Sequence, residues 1–266
     1  MKKFFAVATI AAMIPVSMLA QAAGQHKNDE TNWTGFYAGL NAGGAFGSSN
    51  ARTGTVYSST GYFQTTSVPV VNSVGNQNLS PVGYVGGAQF GYIRQISPKW
   101  VLGAEVDFGA FTTNDSASAT AVYPCCSPYY FTVTQNVSTD WMSTVRARAG
   151  YAVSKHGLLF VSAGAAETKL NYSSLFTDDD IITTESASAS VLKTGWTVGG
   201  GGEYALNKRW SARAEYLFAD FGTVSNAGNV LTEYWNGSTY TYPTTVFTHT
   251  ATLKSNTARL AVNYRF

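Results

Sequence analysis

Residues 100–110, Trp100-Val101-Leu102-Gly103-Ala104-Glu105-Val106-Asp107-Phe108-Gly109-Ala110, sort their side chains by a two-residue period. Trp100, Leu102, Ala104, Val106, Phe108 and Ala110 fall on one side of an extended chain, and Gly103, Glu105, Asp107 and Gly109 on the other. A strand of a soluble barrel places charge outside. Here the acids lie opposite the aromatics, so the apolar face needs an apolar surrounding and the acids need an enclosed, polar one. That reads as a strand with lipid on its outer face and a lumen on its inner face.

Seven further segments repeat the pattern. Phe36, Ala38, Leu40, Ala42, Gly44 and Phe46 oppose Tyr37, Gly39, Asn41 and Gly43; Val82, Tyr84, Gly86, Ala88, Phe90 and Tyr92 oppose Gly83, Gly87, Gln89 and Gly91. Trp141, Val145, Ala147, Ala149 and Tyr151 oppose Thr144, Arg146, Arg148 and Gly150, and a weaker segment sets Leu159, Val161, Ala163 and Ala165 against Ser162, Gly164 and Thr168. Trp196, Val198, Gly200, Gly202, Tyr204 and Leu206 face away from Thr197, Gly199, Gly201 and Glu203. Trp210, Ala212, Ala214, Tyr216 and Phe218 oppose Ser211, Arg213 and Glu215; Ala258, Leu260, Val262, Tyr264 and Phe266 oppose Thr257, Arg259, Ala261 and Asn263. Trp100, Trp141, Trp196 and Trp210 all lie on the apolar face near a strand end, as an aromatic girdle requires.

Connections alternate in length. Ser97-Pro98-Lys99, Ser154-Lys155-His156-Gly157 and Asn207-Lys208-Arg209 are short turns, whereas 48–80, 113–136, 171–192 and 223–253 are long and rich in Ser, Thr, Asn and Tyr. The fold class expected is all-β: an eight-stranded antiparallel up-and-down transmembrane β-barrel with four long extracellular loops and three short periplasmic turns. Both termini then lie in the periplasm. Residues 55–74 lack a clean apolar face and are expected to form loop hairpins; a ten-stranded barrel results if they re-enter the membrane.

Eight strands enclose a space that side chains fill. The inward charges are four acids (Glu105, Asp107, Glu203, Glu215) and four bases (Arg146, Arg148, Arg213, Arg259). Isolated charges are too costly in a narrow interior, so the balanced count predicts an ion-paired plug. A narrow channel for ions or small solutes is the alternative, since a gated pair passes ions; loop-mediated binding of a ligand such as hemin, or of a host surface, is the third reading.

The chain has 266 residues, and Lys2, Lys3 and the apolar stretch from Phe4 to Leu19 precede Ala20-Gln21-Ala22. This predicts a signal peptide over 1–22 cleaved after Ala22, with Ala23 as an alternative, and a single barrel domain over 23–266. Charged residues make up only 12 %, and a net charge of +2 gives no argument for nucleic acid. Adjacent Cys125 and Cys126 cannot staple distant segments; a vicinal disulfide, an intermolecular link and two thiols all fit.

The opening Trp33-Thr34-Gly35-Phe36-Tyr37-Ala38-Gly39-Leu40-Asn41-Ala42-Gly43 resembles the first strand of small porin-like outer-membrane β-barrel surface antigens of alphaproteobacteria, relatives of the transmembrane half of the OmpA superfamily. Gly195-Trp196-Thr197-Val198-Gly199-Gly200-Gly201-Gly202-Glu203-Tyr204 and Ala214-Glu215-Tyr216-Leu217 match too. The resemblance implies an integral outer-membrane protein of a Gram-negative cell envelope, in contact with outer-membrane lipid and lipopolysaccharide. Its final strand, with Leu260, Val262, Tyr264 and Phe266, looks like the signal read by barrel-assembly machinery. Roles in envelope integrity, surface antigenicity, hemin binding or permeation are implied. No active site transfers, oligomeric state stays open, and no peptidoglycan-binding domain is expected after Phe266.

No catalytic spacing stands out, and the chain is not expected to be an enzyme or to need a cofactor or metal. Of His26, His156 and His249, only His249 is placed near the outer rim, where Asp140, Asp220 and nearby serines could approach it. Asp178-Asp179-Asp180 reads as a solvated acidic loop rather than a calcium site. Tyr57, Tyr62, Tyr129, Tyr130, Tyr234, Tyr240 and Tyr242 suit contact with other molecules or with one another, and His249 with such tyrosines would be a hemin ligand set.

Overall fold

The computed structural model describes residues 31–179 and 182–266; the expected signal peptide, with its cleavage site at Ala22, and His26 lie outside them. In chain order the elements are β1 (Gly35–Thr55), α1 (Val68–Val74), β2 (Asn76–Leu79), β3 (Val82–Gln95), β4 (Trp100–Val122), β5 (Tyr130–Ala152) and β6 (Gly157–Asp178), followed by β7 (Ile182–Ala205), β8 (Trp210–Ala227), β9 (Leu231–Trp235), β10 (Ser238–Tyr242) and β11 (Phe247–Arg265). Eight of these close a ring in the order β1-β3-β4-β5-β6-β7-β8-β11, each pair antiparallel. The seam is β11 on β1, with Leu40 opposite Val262. Closure leaves the ring without a free edge, as lipid demands.

The outer face follows the expected parity. Leu40, Tyr84, Phe108, Val145, Val161 and Leu260 are exposed, and aromatic pairs mark two levels. Trp100 meets Tyr151 at 5.2 Å and Trp210 meets Tyr264 at 5.1 Å beside the short turns. Further along, Phe108 meets Trp141 at 5.6 Å and Trp196 meets Phe218 at 5.3 Å. Trp100 pairs with Tyr151 and Ala110 with Trp141, so the levels are ten residues apart along β4. At ~3.3 Å per residue and a tilt of ~40° this is a band of about 25 Å, the height of a lipid-facing barrel belt.

The long connections differ from expectation. Much of 113–136, 171–192 and 223–253 is strand, because β4, β5, β6, β7, β8 and β11 run on past the second aromatic level. In this distal part the pattern inverts: apolar side chains point in and hydroxyls point out. Phe131, Val133 and Val137 are buried, while Ser118–Thr134 (2.9 Å) and Thr120–Thr132 (2.8 Å) form rungs on the outside. A strand with water outside and an apolar core inside is rich in Ser and Thr, which is why these spans read as loop. Nor do residues 55–74 form hairpins: Pro69 opens the short helix α1, and β2 then pairs with β1. β9 and β10 make a hairpin on Asn236-Gly237, both at positive φ (47° and 80°), as a tight two-residue turn requires.

Candidate functional site

The lumen is the site that the sequence singles out. Its side chains stack in layers from the short-turn rim outward. Trp33, Tyr37, Ile93, Val101, Leu158 and Ala205 form an apolar group at that rim. The eight predicted charges follow, all of them buried. Above them Phe111, Met142, Leu170, Phe221 and Leu253 belong to a second apolar cluster, and Phe63, Phe131, Phe176 and Phe247 to a third near the distal end.

The charges divide into two sets. Arg146 bonds Glu105, reaches Asp107 at 2.7 Å through Nη2 and Glu215 at 2.7 Å through Nη1. Arg213 pairs with Glu105 and lies 2.8 Å from Glu215, while Arg259 lies 3.0 Å from Asp107 and 2.8 Å from Glu215. Three guanidiniums thus interlock with three carboxylates. The second set is Arg148 with Glu203 at 2.5 Å. Phe160 joins the two: Arg148 lies 3.7 Å and Arg213 4.9 Å from its ring centroid, so donors of Arg148 that lack a hydrogen-bond acceptor meet a π face instead.

Neutral groups complete the layer. The Tyr37 hydroxyl donates to Glu105 at 2.5 Å, and Thr144 donates to Asp107 at 2.8 Å. Asn41 donates to Gln89, Gln89 to Asn263 (2.6 Å) and Asn263 to Glu203 (3.2 Å), a polar chain ending on the second ion pair. Alternation had put Tyr37, Asn41, Gln89 and Asn263 on the inner face, but which acid each meets depends on strands far apart in sequence. Arg265 was missed. It continues the inward parity of Arg259 and Asn263, and its guanidinium lies 4.7 Å from the Trp33 ring centroid and donates to the Asn32 carbonyl at 2.8 Å.

His249 is not at an outer rim. It is fully buried in the distal lumen, with Nδ1 2.9 Å from Thr53 Oγ1 and Nε2 3.2 Å from Glu185 Oε1. Thr53 also meets Ser174 at 2.8 Å. Asp140 and Asp220 are elsewhere, paired with Lys169 (3.9 Å) and Lys254 (3.6 Å). A hydroxyl–imidazole–carboxylate series has relay geometry. This one is sealed beneath the aromatic layer of Phe63, Phe176 and Phe247, and His249 joins no set of loop tyrosines. His156 lies in a short turn against Thr31 at 3.2 Å. Among the described residues no group of His, Cys, Asp and Glu is arranged to hold a metal. Cys125 and Cys126 are joined as a vicinal disulfide in the turn between β4 and β5.

The family model for the outer membrane protein beta-barrel domain matches residues 8–266. The chain belongs to this family. Its members are integral outer-membrane β-barrels, and the lipid-height belt found here is the surface they share with the bilayer. It is similar to the 31 kDa outer-membrane immunogenic protein of Brucella melitensis, at 33 % identity over 224 residues, covering 81 % of this chain and 86 % of that one. The protein of that description from Brucella suis matches equally. Among solved structures, the outer membrane protein OprG of Pseudomonas aeruginosa matches at 9 % identity with a TM-score of 0.45, covering 90 % of this chain and 99 % of that one. Ail, the attachment invasion locus protein of Yersinia pestis, matches at 15 % identity with a TM-score of 0.31, covering 85 % and 98 %. In this outer-membrane barrel, Leu260, Val262, Tyr264 and Phe266 of the final strand all lie on the lipid side of the wall.

Proposed function

We propose that the protein is a structural, surface-displayed outer-membrane barrel whose lumen is plugged and does not conduct. The observation that carries this reading is the interlocked set of Arg146, Arg213 and Arg259 with Glu105, Asp107 and Glu215, held between apolar layers on both sides. An ion passing through would have to break pairs that are each shielded from water, leaving a charge uncompensated at a cost of about 3–5 kcal/mol. On this reading the short turns and both termini face the periplasm and the distal strands project from the cell. The name of the Brucella relatives, outer-membrane immunogenic proteins, supports surface display of that distal part.

Planar-bilayer recording of the refolded barrel tests the plug. A silent bilayer is the expected result. Steady single-channel steps whose size changes in Arg146→Ala or Glu105→Gln would replace the plug with a narrow channel.

A further inference from the structure

The distal rim carries a pocket that the plugged lumen does not use. Its volume is about 270 Å³, just below the range of drug-sized sites, and it lies between the segment before α1 and the turn joining β4 to β5. Tyr62, Phe63, Tyr123 and Tyr129 form its walls, the Cys125–Cys126 disulfide lines one side, and Asp178 contributes a carboxylate. Tyr62 and Phe63 stand nearly perpendicular, at 84° with centroids 5.2 Å apart, so aromatic surfaces enclose the space from two directions. Phe63 and Tyr123 continue the wall at 6.4 Å.

Two features give the pocket a sign. Asp178 Oδ2 accepts the Tyr62 hydroxyl at 2.6 Å and the Tyr123 hydroxyl at 2.9 Å, which fixes the carboxylate as an acceptor and turns both phenol rings toward it. The wider field agrees. Among the described residues past the second aromatic level, the acids Asp115, Asp140, Glu167, Asp178, Asp179, Glu185, Asp220 and Glu233 outnumber the bases Arg52, Lys169, Lys193 and Lys254. The distal half is therefore acidic, and it draws cations toward the rim.

We propose that this pocket binds a small organic cation of the quaternary ammonium class, such as a trimethylammonium group. Electron-rich ring faces attract such a cation, and it needs no hydrogen-bond acceptors. Asp178 supplies the countercharge. The cation is carried either by a free solute or by a lipid headgroup; both present the same group.

The test is calorimetric titration of the full barrel in a maltoside detergent, since phosphocholine detergents carry the probe's own headgroup. The probes are choline and the uncharged alcohol in which carbon replaces its nitrogen. Choline should bind saturably and about tenfold or more tightly than the alcohol. Asp178→Asn should weaken choline by a comparable factor, and Tyr129→Ala, at an exposed wall position, should weaken it with the barrel intact by heat-modifiable migration. Equal binding of the two probes, absence of saturable heat, or unchanged affinity in Tyr129→Ala overturns the proposal. Phosphatidylcholine vesicles that compete with choline support it with a lipid source, and vesicles that do not compete support it with a free one.

Discussion

Arg213 on β8 and Glu105 on β4 meet with Nη2 and Oε1 2.7 Å apart, although their strands stand on opposite sides of the eight-membered ring. The pair spans the lumen as a strut. It also ties the two halves of the wall, because Glu105 accepts from Arg146 of the neighbouring β5.

Buried pairs are costly to break singly and cheap to remove together. Arg213→Met is expected to destabilise the barrel by about 3–5 kcal/mol, because Glu105 and Glu215 lose a donor in a dry interior. Arg213→Met combined with Glu105→Gln should cost less than the sum of the two. Urea unfolding in liposomes, run as a double-mutant cycle, reads the coupling; strict additivity would show that the strut carries none.

At the short-turn rim, Trp33 is buried against the Arg265 guanidinium and within the cluster that includes Ile93 and Leu158. Trp33→Ala should cost about 3–5 kcal/mol, the usual range for emptying a buried aromatic site. It should leave the β-sheet signal in far-ultraviolet circular dichroism unchanged, since the residue precedes β1. Loss of less than about 1 kcal/mol would mean that the rim packs without it.

On β5, Thr139 and Met142 both point inward although they are three positions apart. A register shift between them makes this possible and switches the strand from the lipid pattern to the aqueous one. Deleting Asp140 removes the residue that breaks the alternation, so Thr139 and Met142 then fall two positions apart, both face inward without a shift, and Phe131 and Val133 stay buried. Expected is a barrel that still inserts and whose distal strands resist chymotrypsin as the parent's do. Rapid trimming of the distal strands in this variant would contradict the role assigned to the shift.

Titration of the distal tyrosines offers a test of Asp178. Burial, reinforced by the bond to Asp178, pushes the Tyr62 phenol above its ordinary value, and burial with the Asp178 charge does so for Tyr123. Tyr242 is pushed up to about 12, by burial and then by its bond to Glu233. A raised phenol pKa favours the protonated fold, so this contribution is fully present below about pH 10 and is lost as pH rises through the folded values. Asp178→Asn should lower the Tyr62 and Tyr123 transitions toward the ordinary range in an ultraviolet tyrosinate titration, leaving Tyr242 in place. Superimposable curves would remove Asp178 as a cause.

The seam sets a steric limit. A Cβ on Gly43 would collide with the Ala258 carbonyl and the Arg259 backbone on β11. Gly43→Val is expected to slow or prevent ring closure, seen as loss of the heat-modifiable band, whereas the outward Gly44→Val should be tolerated, its only neighbour within reach being the Gly83 carbonyl at 3.9 Å.

The sequence alone determined the membrane belt: eight strands, their inward and outward faces, the Trp levels and the eight lumen charges. Lipid imposes a rule between residues two apart, so each strand such as 100–110 declares its faces without help from the rest. Tertiary structure decided what that rule does not reach. Arg213 and Glu105 are 108 residues apart, and only closure and register bring them together. His249 looked like a rim residue because its strand extends farther than the lipid does. Beyond the belt, water replaces lipid outside, so Ser and Thr serve as an outer face and a strand carries the composition of a loop. The change of solvent, more than any motif, marks where the reading of the sequence ended.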